Sequence, residues 1–563
     1  MHTATKGLET QVLVVGSGAA GLVAALRAAE TGASVLIIEK SDEIGGTSAT
    51  SGGGIWIPCS RMASAIENHT DDEDQAFGYM RALAADWSPN ANIRSFLRHA
   101  PRMLDWLSER TALRYAPLPY PDYHPELEGG KTGWRTHLPE PIDARALKKD
   151  MRRLRRASPA ASLGGVINWT FAETYALLYR PKGWMRTLAG MASRYALDLP
   201  YRLTTSRDRY LTLGNALTGG LLMATEAAGV RIQSGTALSS LIVEDGQVTG
   251  ARVRRDGKIV TIATSRVILA AGGYERNADL RARHLPTIPD PTHSGSQINN
   301  TGDAILAAEA VGAALTGLGA AWWAPVFRVP GESRARLCTI ERALPGCIMV
   351  DQSGRRFMNE AMSYHLAGQA MATHMEKTGA SSFWMIFDSR YRRLYPMGPL
   401  LPLIPDSLHR PSVRKMIRKA DDAEGLARKI GADPHVLKAT LERFNPRARD
   451  GQDPDFARGE SAYDRMYGDQ RISPNPTLAA IDRPPYYAIP IYPGDIGTCG
   501  GVSTDGLGRA LTPEGQVIEG LYAVGNCAAS VMGGAYPGAG STLGPALTFA
   551  YTAASHATGR SPD

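Results

Sequence analysis

A glycine-rich turn close to the start of the chain limits the fold more than any other feature of the sequence. Val12–Val15 is a short apolar strand, GSGAAG follows at 16–21, an Ala/Leu-rich helix ends near Gly32, and SVLIIEK has the pattern of a second strand. A strand, a turn, a helix and a second strand in this order form a βαβ unit. We therefore predict an α/β fold that begins with a Rossmann-like nucleotide-binding unit.

The glycines of this turn each have a physical role in binding a dinucleotide. Gly16 permits the tight turn, Gly18 lets a pyrophosphate approach the backbone, and Gly21 permits close packing of helix on strand. Glu39 ends the second strand 18 residues after the last glycine, where a carboxylate takes the ribose hydroxyls of an adenosine. The pattern predicts a bound dinucleotide, and a chance glycine-rich turn is the alternative.

A second loop, rich in glycine, serine and threonine, indicates which of the two dinucleotides that share this fingerprint, NAD or FAD, is bound. It spans residues 45–58 and follows the acidic residue directly. An NAD-binding fold has no use for such a loop, whereas the ribityl chain and ring of FAD need backbone donors further along the chain. We therefore predict FAD, bound non-covalently, because no histidine lies between His2 and His69 to attach it.

Later segments indicate that both ends of the chain build the same sheet. RVILAAGG at 266–273 and GLYAVGN at 520–526 are apolar strands that end in small residues. The region between them changes to short mixed strands, proline-rich turns and charged helices. We predict a Rossmann-like FAD-binding domain over 1–321 and 491–563, with an inserted α+β substrate-capping domain over 322–490.

The loops of the predicted FAD domain supply the residues that we expect to bind the cofactor. They come from the glycine turn, the second loop, the two later strand ends and the last helix. The expected contacts are Gly16, Gly18, Ala19, Ala20, Gly21, Glu39, Lys40, Gly46, Thr47, Ser48, Ser51, Gly52, Gly53, Gly54, Ala271, Gly272, Gly525, Asn526, Gly540, Ser541, Thr542 and Leu543.

Composition excludes several other classes of protein. Hydrophobic residues make up 43% and charged residues 21%, which is typical of a globular chain and not of a disordered or polytopic one. The N-terminus shows no export signal, and the uncharged stretch 520–555 is too rich in glycine and proline to span a bilayer. Five cysteines without CxxC spacing predict neither disulfides nor a metal site. We expect a cytoplasmic protein.

The positive charge of the chain is concentrated in one segment. Residues 145–156 carry seven Lys or Arg against one Asp, and five aromatic side chains follow between Trp169 and Trp184. A solvated helix face is the simplest explanation, and docking on anionic lipid headgroups at the inner face of the cell membrane is the alternative. No nucleic-acid-binding motif accompanies the charge.

Motifs spread along nearly the whole chain resemble one flavoprotein family. They are GSGAAG, GGTSATSGGGIWIP, the AAGG strand end, NNTGD and GLYAVGN. Together they resemble the family of fumarate reductases and 3-ketosteroid dehydrogenases. Within it, SGRRFMNEAMSYHLAG, VMGGAYPGAGSTLGPALTFAY and PYPDYHPELEGG resemble the Δ1-dehydrogenases. The resemblance implies a 3-ketosteroid substrate from which FAD-dependent chemistry removes hydrogen at carbons 1 and 2.

The resemblance also implies roles for individual residues. The Tyr536 hydroxyl and the Gly540 N–H would stabilise negative charge on the ketone oxygen. Tyr364 would take the proton from carbon 2, with Tyr123, or else Tyr120, as its hydrogen-bonding partner. Because free tyrosine titrates near pKa ~10, we expect this neighbour or a local positive potential to favour the Tyr364 anion. For each tyrosine, simple packing with a satisfied hydroxyl is the alternative.

Other functions stay open at this point. A fumarate-reductase-like enzyme needs arginines to hold a dicarboxylate, whereas residues 526–555 contain no Asp, Glu, Lys, Arg or His. Δ4-(5α)-dehydrogenation uses the same ketone chemistry with the steroid placed differently. A flavin-binding, membrane-docked module without turnover is the alternative from another class. No NAD(P) site is seen, so we expect a quinone or another carrier to accept the electrons.

One segment departs from the compact pattern of the Δ1-dehydrogenases. It is the basic and aromatic insertion of residues 143–201. The sequence allows a lid over the steroid entrance, a membrane contact that delivers an insoluble substrate, or neither.

Overall fold

The computed structural model describes residues 8–163 and 165–563, except for the side chains of Ala85, Lys148 and Lys149. The predicted absence of an export signal rests partly on residues 1–7, which lie outside the described residues. Within the described part of the chain, no helix is both long enough and apolar enough to cross a bilayer.

The larger of the two main sheets has ten strands and contains the glycine-rich turn. Its central strands are fully buried, which explains why they consist of Val, Ile and Leu alone. Val267–Leu269 pairs in parallel with Val12–Val15 on one side and with Val517–Ala523 on the other, so the C-terminal part of the chain completes the sheet. The predicted α/β fold is confirmed. The strand order is Leu8–Glu9, Lys258–Ala263, Gln247–Arg255, Val517–Ala523, Val267–Leu269, Val12–Val15, Val35–Ile38 and Arg231–Gln233, with Thr236–Glu244 beside Gln247–Arg255 and Arg509–Leu511 beside Val517–Ala523.

The helix that follows the glycine turn packs against two other helices beside this sheet. Helix Ala19–Ala29 contacts both Leu543–Ala557 and Leu213–Ala227, and its small side chains permit the close approach. Its one charged residue is buried but satisfied: the Arg27 Nε donates to the Ser555 Oγ at 2.8 Å and the guanidinium lies over a tyrosine ring. This packing brings the loop before the C-terminal helix next to the nucleotide-binding turn.

The second main sheet has six antiparallel strands and follows the first in the chain. The predicted boundary at 490/491 cuts one of its strands, because Tyr486–Thr498 is continuous and pairs Thr498 with Ala321. We infer that the capping domain extends to Thr498. The strand order is Arg336–Leu337, Ala321–Phe327, Tyr486–Thr498, Phe383–Asp388 and Cys347–Asp351, with Arg418–Ala420 beside Tyr486–Thr498.

Smaller elements fill the space around the two sheets. A three-stranded sheet and two strand pairs are formed by Ile55–Trp56, Thr136–Pro139 and Tyr115–Pro117, by Ile142–Asp143 with Tyr210–Leu211, and by Leu315–Thr316 with Gly501–Val502. Further α-helices are Arg61–Ser64, Glu73–Ala84, Asn90–Arg110, Ala278–His284, Asp303–Glu309, Tyr364–Thr378, Ser389–Leu394, Pro411–Arg414, Ala423–Ile430, Pro434–Arg449 and Ala462–Met466.

The basic and aromatic insertion folds onto the capping domain. The Tyr179 hydroxyl donates to the Tyr467 carbonyl at 2.9 Å, and the Arg180 guanidinium donates to the Leu394 carbonyl. These hydrogen bonds therefore hold the insertion against one side of the capping domain. Its elements are the 3₁₀ helix Ala144–Arg152, the strand pair Ser162–Leu163 with Ile167–Asn168, and the helices Phe171–Tyr179, Trp184–Ala196 and Leu199–Arg202.

Candidate active site

A cavity of about 850 Å³ is lined by residues of the large sheet, the capping domain and the insertion. All four tyrosines singled out in the sequence line it, as do Gly540 and the other expected cofactor contacts apart from Gly21 and Ser541. The nucleotide-binding loops and the tyrosines thus share one continuous space.

The two expected contacts that do not line the cavity support its walls. A Cβ on Gly21 would lie 2.0 Å from the Gly16 carbonyl oxygen, so this glycine is needed for helix-to-strand packing. The buried Ser541 hydroxyl donates to the Gly538 carbonyl at 2.7 Å and accepts from the Gly538 N–H at 3.0 Å. Ser541 therefore fixes the turn before the last helix.

An open trough at the start of helix Ala19–Ala29 has the shape that a dinucleotide needs. A Cβ on Gly18 would meet only the Ser48 Oγ at 3.6 Å, and one on Gly52 would meet no atom within 4 Å. Gly18 at the N-cap has no side chain to cap the helix, and the Ser48 hydroxyl accepts from the Ala19 N–H at 3.2 Å, so the positive dipole end of the helix and the Ser48 hydroxyl face this space. These residues fit the diphosphate of FAD.

Glu39 lines the same cavity, and three hydrogen bonds fix its carboxylate. One of its carboxylate oxygens accepts from the Ser17 N–H at 3.0 Å and from the Ser17 hydroxyl at 2.7 Å, and the other accepts from the Ser41 N–H at 2.8 Å. Lys40 pairs with Asp303 at 2.7 Å, and both residues line the cavity. A fixed carboxylate of this kind suits the ribose hydroxyls of the cofactor.

Gly18 offers a direct test of the trough. Its φ of −64° and ψ of 175° are open to any residue, so Gly18→Val should fold but fill the space of the diphosphate. We expect FAD affinity to fall at least about 100-fold, measured as flavin bound per chain after gel filtration and as a dissociation constant. Gly78→Ala, in a helix where a Cβ meets no atom within 4 Å, is the matched control. Full flavin retention by Gly18→Val would contradict this position for the cofactor.

Three tyrosine rings form a nearly equilateral triangle on the wall of the cavity. The ring centroids are 5.5 Å apart for Tyr123 and Tyr364, 5.4 Å for Tyr364 and Tyr536, and 5.4 Å for Tyr123 and Tyr536. Tyr120 lies outside the triangle, and its hydroxyl donates to that of Tyr467 at 2.9 Å. Of the two partners considered for Tyr364, the geometry therefore favours Tyr123, whose ring centroid lies 5.5 Å from that of Tyr364.

Segments far apart in the sequence hold this triangle in place. Tyr364 opens a helix whose cap, Ser363, accepts from the Leu366 N–H at 3.3 Å. The Tyr123 N–H donates to the Pro537 carbonyl at 2.8 Å, which ties its loop to the residue after Tyr536. The backbone that carries Tyr123 is thus tied to the backbone that carries Tyr536, and Tyr364 is fixed at the start of its own helix.

Gly540 is irreplaceable on geometric grounds. Its φ is +100°, and a Cβ there would lie 2.6 Å from the Ile55 carbonyl carbon and from the Trp56 nitrogen. The Tyr536 hydroxyl oxygen lies 3.0 Å from the Thr542 Oγ1. The two expected donors, Tyr536 and Gly540, both line the cavity.

Burial changes the acidity of both central tyrosines. It holds the pKa of Tyr364 well above its usual range, and the proximity of Tyr536 adds to this effect, while the hydrogen bond from Tyr123 lowers the pKa by less. Burial also raises the pKa of Tyr536, against hydrogen bonds from Thr542 and Tyr364 that lower it. Tyr123 thus favours the Tyr364 anion, as expected, but desolvation raises the pKa by more than this neighbour lowers it.

Several residues around the triangle were not predicted. Tyr463 lies 4.8 Å from Tyr123, and the Trp322 ring lies 5.2 Å from that of Tyr536. His365 is neutral, because its Nδ1 accepts from the Trp323 N–H while its Nε2 donates to a carbonyl, and burial lowers its pKa to about 4. For Tyr463, the sequence pattern that could have indicated a role is its four-residue spacing from the second tyrosine of SAYDRMY, which puts both on one helix face.

Comparisons with known proteins agree with this geometry. The profile of a family described as FAD binding domain matches residues 11–543. A 3-oxosteroid 1-dehydrogenase of Mycobacterium tuberculosis is 40% identical over 97% of this chain and 98% of its own length. A 4-oxocyclohex-2-ene-1-carboxylate 5-dehydrogenase of Sinomonas cyclohexanicum is 36% identical over 97% of this chain and 93% of its own.

A solved structure matches nearly the whole molecule. It is a 3-ketosteroid Δ1-dehydrogenase from Sterolibacterium denitrificans in complex with 1,4-androstadiene-3,17-dione. The TM-score is 0.94 at 41% sequence identity, and the match covers 98% of this chain and 99% of that one. The resemblance found in the sequence motifs therefore extends over the whole fold.

Proposed function

The chain belongs to the FAD-binding flavoprotein family that includes the 3-oxosteroid 1-dehydrogenases, and on that premise we propose that it introduces the 1,2 double bond into 3-ketosteroids. FAD is its cofactor. The observation that carries the proposal is the triangle of Tyr123, Tyr364 and Tyr536, with the Gly540 N–H beside it, in the same cavity as the glycine trough.

The reaction removes a proton from carbon 2 and a hydride from carbon 1, and the electrons left on carbon 2 form the new double bond. The Tyr536 hydroxyl and the Gly540 N–H donate to the ketone oxygen, where negative charge develops as the proton leaves. The Tyr364 oxygen takes that proton, and the Tyr123 hydroxyl stabilises the Tyr364 oxygen by donating to it. FAD, when bound, supplies the acceptor for the hydride.

The raised pKa of Tyr364 leads to a definite pH dependence. The base acts as its anion, and a pKa above the working range means that the anion is scarce at neutral pH and grows as pH rises. We expect log kcat/KM to rise with a slope of about 1 through neutral and moderately alkaline pH. Anaerobic flavin reduction at several pH values measures it. A profile that is flat across this range would exclude a tyrosine of raised pKa as the base.

The function is tested by product identification. FAD-replete protein, mixed anaerobically with androst-4-ene-3,17-dione and an artificial electron acceptor, should yield the 1,4-diene, identified by mass and NMR. If only a saturated 5α-3-ketone reacts, and gives the 4-ene, the chain has Δ4 chemistry. Because one relative is a 4-oxocyclohex-2-ene-1-carboxylate 5-dehydrogenase, 4-oxocyclohex-2-ene-1-carboxylate is assayed in parallel. Turnover of this acid without any steroid turnover would replace the steroid in the proposal.

We propose that the basic and aromatic insertion is both the outer wall of the cavity and a membrane contact. Ser158, Trp169, Phe171 and Thr174 line the cavity. On the outside, Met185, Leu197, Leu199 and Leu203 are 67%, 77%, 65% and 90% exposed, and Lys182 and Arg186 are exposed among them. Apolar and cationic side chains on one outer surface suit the interface of a bilayer with anionic headgroups. An apolar substrate dissolved in the membrane would then reach the cavity directly.

A double substitution tests this membrane contact. Leu199→Ser with Leu203→Ser should weaken binding to vesicles that contain anionic lipid by at least about tenfold, since burial of each leucine is worth about 1.5–3 kcal/mol. Vesicle co-sedimentation measures the change. The matched control is Ile259→Ser, a 52% exposed residue on a strand of the large sheet. Equal binding by the double variant and the wild type would reject the membrane contact.

We propose that the electrons leave to an external quinone or carrier. The sequence contains one G-x-G-x-x-G motif after a strand, GSGAAG at 16–21, and FAD would occupy it, which leaves no such motif for NAD(P). Assays with a quinone and with NAD⁺ as acceptors distinguish the two, and turnover with NAD⁺ would contradict this proposal.

A further inference from the structure

A loop of the capping domain brings an arginine to the wall of the cavity. The loop joins strands Ala321–Phe327 and Arg336–Leu337, and its Ala335 N–H donates to the Ser294 carbonyl at 3.1 Å. This contact fixes the loop against the FAD domain. Arg334, just before the contact, lines the cavity beside Arg155 of the insertion.

Arg334 has no acidic partner among the residues that the structure describes. The acid of its own loop, Glu332, is paired with Arg336, whose Nε donates to it at 2.8 Å. The acid nearest to Arg155, Glu43, accepts from that arginine at 2.7 Å. Both carboxylates are therefore taken by other guanidinium groups.

The surroundings of Arg334 have a surplus of positive charge. Burial, together with the charges of Arg155 and Arg276, lowers the pKa of its guanidinium to about 10, against the weaker opposing effect of Glu332 and Glu43. The buried Nε of Arg155 and that of Arg276 also lack a hydrogen-bond acceptor in the described part of the chain. A group of half-buried cations with unused donors is unfavourable unless an anion joins it.

We propose that Arg334 and Arg155 form an anion site across the interface between the capping domain and the FAD domain, for a phosphate or carboxylate group held in the cavity. Guanidinium groups suit both, because their planar N–H donors match the oxygen spacing of either anion.

Two molecules can bring such a group into this cavity. One is FAD, because the trough at the start of helix Ala19–Ala29, which fits its diphosphate, belongs to the same cavity. The other is a steroid that carries a carboxylate on its side chain, and this source rests on the function proposed above. The chemistry of recognition is the same for both, so the experiment has one arm for each.

The first arm measures FAD binding and needs no enzymatic activity. FAD is titrated into apoprotein of the wild type, Arg334→Gln and Arg334→Lys. If the diphosphate is the ligand, Arg334→Gln should weaken FAD binding about 10- to 100-fold, and Arg334→Lys should recover part of it. Arg355→Gln, which removes an exposed charge elsewhere on the capping domain, is the matched control and should leave FAD binding unchanged.

The second arm compares two steroids on FAD-saturated protein. If a side-chain carboxylate is the ligand, Arg334→Gln should raise KM for 3-oxochol-4-en-24-oate at least about tenfold and leave KM for androst-4-ene-3,17-dione unchanged. Spectral titration of the flavin with each steroid gives the same comparison if turnover is absent, so the arm does not depend on the proposed reaction. Changes below about twofold in both arms, in a variant that folds, would overturn the anion site.

Discussion

Replacing Tyr364 by phenylalanine should lower kcat by about 10²- to 10⁴-fold while FAD stays bound, because the variant loses the oxygen that accepts the proton from carbon 2. The ring stays in place, since Phe keeps the edge contacts of Tyr364 with Tyr123 and Tyr536. The measurement is the rate of anaerobic flavin reduction by the steroid. The increase of kcat/KM with pH should also disappear, because the variant has no Tyr364 hydroxyl to ionise.

Hydrogen exchange separates a lost base from a disturbed site. In D₂O, a working base exchanges the proton at carbon 2 even when no acceptor is present, so exchange should fall together with flavin reduction. Tyr463→Phe is the matched control, because its ring contacts that of Tyr123 at 4.8 Å but lies outside the triangle. We expect this control to change the rate by less than about threefold. Undiminished exchange in Tyr364→Phe would assign the base to another residue.

The nucleotide-binding part of the site could be predicted from sequence because its requirements are local. Gly16 has a φ of +105°, and a Cβ on it would lie 2.5 Å from the Ala270 carbonyl oxygen, so a short segment fixes both the turn and the residue type. Glu39 follows at the end of the next strand of the same unit. Patterns of this kind need no knowledge of distant segments.

The tyrosine site could be predicted only through its resemblance to a family. Its members come from three segments that are hundreds of residues apart, and no periodicity links Tyr123, Tyr364 and Tyr536. Residues outside the quoted motifs, such as Tyr463 and Arg334, were missed because their roles depend on which groups the fold places beside them. For the same reason the sequence predicted the effect of Tyr123 on the pKa of Tyr364 but not the larger effect of burial: a neighbouring hydroxyl can be inferred from a motif, whereas the extent of burial cannot.

Replacing Tyr536 by phenylalanine should lower kcat by about 10²- to 10³-fold, which is the usual cost of one donor to a developing oxyanion. The Gly540 N–H remains as the second donor, so the loss should be smaller than that caused by removing both. Thr542→Val gives an intermediate case, because it removes only the hydroxyl that lies 3.0 Å from the Tyr536 oxygen. The rates of flavin reduction and of hydrogen exchange at carbon 2 are measured for the wild type, Tyr536→Phe and Thr542→Val.

The pH profile distinguishes this loss from that of the base. In Tyr536→Phe the oxygen of Tyr364 is intact, so the slow rate should still rise with pH, whereas Tyr364→Phe should show no such rise. Removal of Tyr536 also removes a neighbour that raises the pKa of Tyr364, so the rise should reach its plateau at a lower pH than in the wild type. A slow variant with the unchanged wild-type profile would mean that Tyr536 acts on the ketone without any influence on Tyr364. A variant without the alkaline rise would mean that the two hydroxyls transfer the proton as one unit.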